Sequence, residues 1–166
     1  MHQLKPITLA GVPAALQKAN RYRLLNDSVA AVSICQDILA VDPNNTEAIV
    51  THVLAISDQF AESMGDTLAR AREAVAHIAD PYRNAYYNGI ICERWARAIL
   101  RSGALRGGEA AHDWLTRAME WYERAEKLRT PGNDEAILRW NTCVRLLERR
   151  SDVRPRESEA YEPGFE

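Results

Sequence analysis

The fold is decided by residues 26–49, which read NDSVAAVSICQDILAVDPNNTEAI. Small and apolar side chains recur there at the spacing of one helix face, at Ala31, Ile34, Cys35, Ile38 and Val41. Pro43 lacks a backbone N–H and disfavours helical geometry at the preceding residue, so the helix is predicted to end there. Asn45 can then cap a new helix, because its side chain accepts a hydrogen bond from a free backbone N–H. The stretch therefore predicts a helix, a tight turn and a second helix.

This stretch resembles the tetratricopeptide repeat (TPR), a unit of about 34 residues folded into two antiparallel helices. Ala31 and Ile38 stand where the family places small residues in its second helix, and residues 39–45 form its acidic, proline-containing turn. Ala118 and Ala125 repeat the spacing before the sequence LRTPGNDEAI, and residues 75–81 are a looser copy of the turn. The resemblance implies an all-α array of about three helix pairs plus a closing C-terminal helix, wound as a right-handed superhelix.

Helical periodicity extends over most of the chain and predicts seven helices with no sheet. The predicted ranges are 12–25, 28–41, 46–62, 67–79, 81–102, 109–129 and 134–149. Gly103 and the pair Gly107–Gly108 are expected to bound a loop. The chain is thus divided into a lead (1–11), a helical repeat domain (12–150) and a polar tail (151–166), in which Tyr161 and Phe165 are the large apolar residues available for docking.

Length and composition place the chain among single-domain globular proteins. It has 166 residues, of which 46% are hydrophobic and 27% charged, and its formal net charge is −2. This charge gives no general attraction to nucleic acid or acidic membranes, so neither is an expected partner. No apolar run approaches the ~20 residues that span a bilayer, and the first residues lack a signal-peptide pattern. We therefore expect a cytoplasmic protein.

No motif in the sequence indicates catalysis, a cofactor or a metal site. Cys35, Cys92 and Cys143 are far apart and are expected to be buried free thiols. The four histidines lack metal-ligand spacing, and His52 lies on an apolar helix face where a core or interface role is expected. Phosphate-binding loops and nucleophile elbows are missing from the sequence. A non-enzyme is expected, and an enzyme of unrecognised type is an alternative.

Charged side chains follow helical spacing and are interpreted mainly as solvated faces. Three glutamates precede a basic residue by four positions, in the pairs Glu93–Arg97, Glu120–Arg124 and Glu123–Lys127. The group Arg94, Arg97 and Arg101 is also aligned on one helix face, which allows an RNA or phosphate site as a hypothesis. Acidic residues intermingle with these arginines, so a solvated face is the favoured interpretation.

The resemblance to the TPR family also implies a binding face. In that family the first helix of each pair lines a concave surface that holds a peptide, with contact residues spaced by four. The corresponding partner-binding candidates are Leu16, Asn20, Val50, Leu54, Arg83, Tyr86 and Ile90. Leu16 stands where family members that bind a C-terminal carboxylate need lysine, so an apolar peptide face near Tyr86, with Arg83 at its edge, is expected instead.

The implied function is a non-catalytic adaptor that binds a peptide or a protein segment. One alternative is a self-associating structural protein whose own copy fills the concave face. Another interpretation of Tyr86 and Ile90 is that they pack between helices and belong to the core.

Overall fold

A computed structural model describes residues 2–156, and within that range the chain forms seven α-helices and no strand. A short 3₁₀ helix, Leu9–Gly11, precedes them. The α-helices are α1 (Val12–Leu24), α2 (Ser28–Val41), α3 (Thr46–Asp58), α4 (Thr67–Ala76), α5 (Pro81–Ser102), α6 (Gly107–Leu128) and α7 (Glu135–Arg149). The predicted all-α fold is confirmed.

Capping side chains begin three of these helices at the positions where the sequence calls for them. Asp27, Asn45 and Asp80 each accept a hydrogen bond from the backbone N–H three residues later, at 3.0, 2.9 and 2.7 Å respectively. These bonds satisfy N–H groups that have no partner inside the helix. Pro81 occupies the first turn of α5, where its missing N–H costs nothing.

Some helix ends differ from the prediction. α3 ends at Asp58 rather than 62, and α4 ends at Ala76 rather than 79, because turns replace the helical bonds at both places. The loop that Gly103 and Gly107–Gly108 are predicted to bound is present, but it ends at Arg106, since Gly107 and Gly108 both belong to α6. Arg106 has a left-handed backbone (φ 59°) and reverses the chain just before them, so α6 begins earlier than its apolar pattern suggests.

The helices pack as consecutive pairs that stack on one another. α1 packs on α2, α3 on α4, and α5 on α6, while α7 packs on α6. The first helices of these pairs also touch in order, α1 against α3 and α3 against α5. This order of contacts is consistent with a helical repeat, and it places the first helices side by side on one face.

The core is divided into two main clusters that meet at α5. The first contains residues of α2 to α5, among them Val53, Ile56 and Phe60. The second joins α5, α6 and α7 around Leu115, Tyr122 and Cys143. Small residues lie at the closest helix contacts, and Ala31, Ala118 and Ala125 are fully buried.

Gly89 sets the distance between α5 and α6. A Cβ atom at this position would lie 2.7 Å from Cδ1 of Tyr122 and closer still to Cε1 of the same ring. The Tyr122 ring is 1% exposed and fills the space that a side chain on Gly89 would need. α5 and α6 can therefore pack this closely because Gly89 has no side chain.

The packed domain continues past residue 150, where the polar tail was predicted to begin. Val153 is buried and joins the α5–α7 cluster. The backbone carbonyl of Asp152 lies against Gly108, where a Cβ atom would be 2.9 Å from the carbonyl carbon. Residues 151–153 are thus part of the packed structure, whereas Tyr161 and Phe165, the expected docking residues, lie outside the described residues.

Candidate functional site

One face of α5 is lined by aromatic side chains at its start and by arginines at its end. Tyr82 and Tyr86 stack with ring centroids 6.0 Å apart, and Tyr86 meets Tyr87 edge-on at 5.2 Å. These three rings line a hollow of about 370 Å³ between the start of α5 and the α6–α7 connection, which we call the tyrosine hollow. Each ring is partly exposed, so the hollow offers apolar surface with hydroxyl groups at its edge.

A second hollow of about 260 Å³ lies farther along α5, between α3 and α7. Four arginines line it, and we call it the arginine cleft: Arg94, Arg97, Arg101 and Arg139. Two carboxylates also line the cleft, those of Asp58 and Glu93. The sequence aligns the first three arginines on α5, and the structure shows that α7 adds the fourth opposite them.

Arg94 ties α5 to the end of α3. Its Nη1 group donates to the backbone oxygen of Leu54 at 3.1 Å, to Oγ of Ser57 at 2.7 Å and to Oδ1 of Asp58 at 2.5 Å. Asp58 also accepts a hydrogen bond from Nε of Arg23 on α1, at 2.8 Å. The carboxylate of Asp58 on α3 therefore links α3 to both α1 and α5.

The positive charges of the cleft are close enough to influence one another. Burial lowers the pKa of Arg94 from its usual value, Asp58 opposes this change, and the charges of Arg23 and Arg139 add to it. The guanidinium nevertheless stays protonated, because arginine is not deprotonated in proteins near neutral pH. Crowded, partly desolvated cations of this kind favour an anion placed among them.

Glu93 forms the floor of the cleft and is 2% exposed. Its Oε2 atom accepts a hydrogen bond from the hydroxyl of Tyr122 at 2.8 Å, and its Oε1 atom accepts one from Nε of Arg97 at 3.2 Å. Nη1 of Arg139 lies 3.6 Å from the same Oε1. The sequence interpretation of Glu93–Arg97 as a solvated surface pair is wrong for Glu93, because the close approach at Gly89 places Tyr122 against this side of α5.

Two of the predicted partner-binding residues are enclosed in the core. Val50 is 6% exposed and packs in the α2–α5 cluster, and Ile90 is 2% exposed and packs in the α5–α7 cluster. A partner segment at the surface has no access to these side chains. Val50 and Ile90 are therefore not part of a binding face, and the prediction is wrong for these two residues. Ile90 packs between helices, which is the alternative that the sequence left open.

The other predicted residues are at least partly accessible, but they do not form one continuous patch of a single chemistry. Leu16 packs at the edge of the small cluster of α1 to α3, and Asn20 is exposed and accepts a hydrogen bond from Thr51 at 3.3 Å. Leu54 packs against both main clusters. Arg83 forms an ion pair with Glu47 at 2.6 Å.

Tyr86 lies between the tyrosine hollow and the arginine cleft. Its ring centroid is 6.0 Å from that of buried Tyr122. Burial alone would lower the pKa of Arg139, but the neighbouring Tyr86 and Glu93 raise it above its usual value. Sequence reasoning missed Arg139 and Asp58 as parts of the site. Helical spacing could have placed Arg139 on the inward face of α7. It follows Ala136 by three positions and precedes Cys143 by four, and both of those residues are buried.

A third hollow, of about 400 Å³, lies between α2, α3 and α4, and apolar and polar side chains line it in equal number. His52 lines this hollow, and its Nε2 atom is buried and has no hydrogen-bond partner among the described residues. Burial lowers the pKa of His52, and the charge of Arg70 lowers it further. The ring is half-buried, in agreement with the expected core or interface role.

The three cysteines are free and buried, as expected. Burial raises the pKa of the Cys35 thiol to about 12, that of Cys92 to about 11 and that of Cys143 to about 12. Thiolates are the reactive form, so these thiols are poor nucleophiles.

At about pH 8, near the ordinary thiol pKa, we expect the native protein to react very slowly with a chromogenic disulfide reagent and the denatured protein to release colour from all three thiols. Rapid reaction of one thiol in the native protein would contradict the raised pKa values.

Across residues 2–156, no three His, Cys, Asp or Glu side chains converge as a metal site. None of the helices in this range combines the length and the apolar character that a membrane span requires. No protein-family model matches the chain, and a search of curated proteins finds no significant match.

Proposed function

We propose that the protein is a non-catalytic, TPR-like helical repeat protein that binds a segment of a partner protein along the α5 face, from the tyrosine hollow to the arginine cleft. The observation that carries the proposal is the composition of that face, with tyrosines at one end of α5 and arginines at the other. Tyrosine and arginine are enriched among the side chains that dominate binding energy at protein interfaces. Their combination in two adjoining hollows supports a binding surface.

The order of helix packing supports the same proposal. In a TPR-like array the first helices of successive pairs line the binding face. Here α1, α3 and α5 contact one another, and α7 approaches α5 through Arg139 and Glu93. The arginine cleft opens between the first helices α3 and α5, where such an array would hold an extended segment, and the tyrosine hollow opens beside the start of α5.

The thiol chemistry favours a role without catalysis. A nucleophilic cysteine needs a lowered pKa and access to a substrate, whereas all three thiols here are buried with raised pKa values. The arginines supply charge and hydrogen bonds, which position a bound segment without transferring a group.

Site-specific photocrosslinking tests the proposal. A benzophenone amino acid placed at Tyr82, at the rim of the tyrosine hollow, is expected to capture a partner segment in cells that produce the protein naturally. Tyr82 stacks on Tyr86 and is partly exposed, so a ring of similar size is tolerated there. Mass spectrometry of the crosslinked peptide then identifies the segment, and Tyr82→Ala is expected to weaken its binding by ~2 kcal/mol.

The matched control places the same amino acid at Leu105, which is 97% exposed in the α5–α6 connection and lies outside both hollows. Crosslinking of the same partners from both positions would show random collision and would contradict the proposal. Crosslinking of this chain to itself alone, from Tyr82, would support the self-associating alternative instead.

A further inference from the structure

We propose that the arginine cleft recognises a phosphoryl group, so that the partner segment on the α5 face carries a phosphoserine or a phosphothreonine. This inference rests on the proposed function and specifies the chemistry of the bound segment. Its starting point is the charge of the cleft. Four guanidinium groups and two carboxylates line it, which leaves two positive charges unbalanced in a chain whose formal net charge is −2.

The size of this excess charge matches a phosphorylated side chain. A phosphorylated serine or threonine carries about −1.5 to −2 charges near neutral pH, whereas one glutamate or aspartate carries a single charge. A carboxylate would therefore leave part of the excess uncompensated. Because the cleft is partly desolvated, that excess is felt more strongly than on an open surface.

The guanidinium groups also have unused hydrogen-bond donors. Arg94 contacts α3 through Nη1 only, and its Nε and Nη2 groups donate to no other described residue. Arg101 forms no ion pair within residues 2–156 and is exposed. A phosphoryl group offers three terminal oxygens, and the planar guanidinium fork binds two of them at once.

Glu93 and Ser57 hold three of the arginines in place before any ligand arrives. Glu93 accepts from Arg97 and lies close to Arg139, and Ser57 accepts from Arg94. The side chains of Arg94, Arg97 and Arg139 keep 27%, 36% and 40% exposure, which leaves them accessible from the cleft. Such fixed geometry reduces the entropy lost when the anion is bound.

A protein segment fits the observations better than RNA does. Nucleic-acid surfaces usually present a basic stripe that follows many phosphates, on a protein with an excess of positive charge. Here four arginines converge on one cleft of about 260 Å³, and the neighbouring tyrosine hollow includes the acidic residues Asp80 and Glu135. A single phosphate followed by an uncharged or basic stretch satisfies both hollows.

Peptide libraries test this inference directly. Immobilised full-length protein is incubated with short fluorescent peptides that carry a central phosphoserine between randomised flanks, and with matched libraries that carry serine or glutamate. We expect the phosphoserine library to be retained about tenfold more strongly than the serine library, with glutamate between them. Retention should weaken from about pH 7.5 to about pH 5.5, because the phosphate loses a negative charge below its second pKa of about 6 while the arginines stay charged.

Variants assign the binding to the cleft. Arg101→Gln and Arg97→Gln are each expected to reduce phosphoserine retention towards the serine level. Arg101 has no ion pair in the described structure, so its replacement leaves the packing unchanged, and an unaltered melting temperature verifies this. The matched control is Arg145→Gln, an exposed arginine of α7 outside the cleft, which should bind like wild type.

Equal retention of the serine and phosphoserine libraries, or unchanged binding by Arg101→Gln, would overturn the inference. Competition by inorganic phosphate at the concentration of the phosphopeptide would assign the cleft to free phosphate, and stronger competition by single-stranded RNA would assign it to nucleic acid. The crosslinking experiment tests the proposed function independently of phosphoryl recognition. A partner crosslinked at Tyr82 whose bound segment is not phosphorylated would uphold the partner-binding role and reject phosphoryl recognition.

Discussion

Replacing Gly89 by alanine is expected to lower the free energy of unfolding by about 2–3 kcal/mol. The added methyl group would lie 2.7 Å or less from the Tyr122 ring, which is 1% exposed and is anchored to Glu93 by its hydroxyl. The ring cannot move without breaking that hydrogen bond or separating α5 from α6. The better helix propensity of alanine, about 1 kcal/mol, offsets only part of this cost. For a chain of this size the melting temperature should fall by roughly 4–12 °C.

Gly65→Ala is the matched control, because a Cβ atom at Gly65 would meet nothing within 4 Å. Its melting temperature should stay within about 2 °C of wild type, as for most surface substitutions. If both variants have the melting temperature of the wild type, α5 and α6 do not pack against each other at Gly89, and the position of Tyr122 must be revised.

Replacing Glu93 by leucine is expected to destabilise the protein by about 3 kcal/mol. The substitution removes the partner of the buried Tyr122 hydroxyl and the shared partner of Arg97 and Arg139. An unsatisfied buried hydroxyl costs about 1–3 kcal/mol. The two arginines add less than a fully buried pair would, because they are 36% and 40% exposed and can turn to water. Chemical denaturation measures the loss.

Two further variants separate the contributions. Glu93→Gln retains an acceptor for Tyr122 and loses only the charge, so it should cost less than the leucine variant. Glu123→Leu removes an exposed glutamate of α6 and should change the free energy of unfolding by no more than about 0.5 kcal/mol. A leucine variant at Glu93 that is as stable as wild type would mean that the carboxylate is not buried against Tyr122.

The helices and turns were predictable because their causes are local. Asp27, Asn45 and Pro43 act on neighbours within a few positions, and the apolar period of α2 is visible in the sequence. The arginine cleft was predictable only in part. Arg94, Arg97 and Arg101 share a helix face, but Arg139 and Asp58 come from other helices, and local periodicity does not show which helices are neighbours.

The burial of Glu93 shows the same limit of sequence reasoning. Spacing by four from Arg97 is the pattern of an exposed ion pair, and the partner that encloses Glu93, Tyr122, is 29 positions away. Val50 and Ile90 depart from the prediction for a related reason. α3 packs against α1, α2, α4 and α5, and α5 packs extensively on α6, so each buries a wider arc of its surface than a two-sided repeat helix would.

Val153 and the carbonyl of Asp152 lie over the start of α6, beyond the last helix pair. In an array of repeats, a terminal unit normally has to shield an apolar end that its missing neighbour would have covered. Here α7 and the backbone after it cover that part of α6. A helix packed at the same place would have to displace Val153 and the carbonyl of Asp152, so the start of α6 is closed to another neighbour.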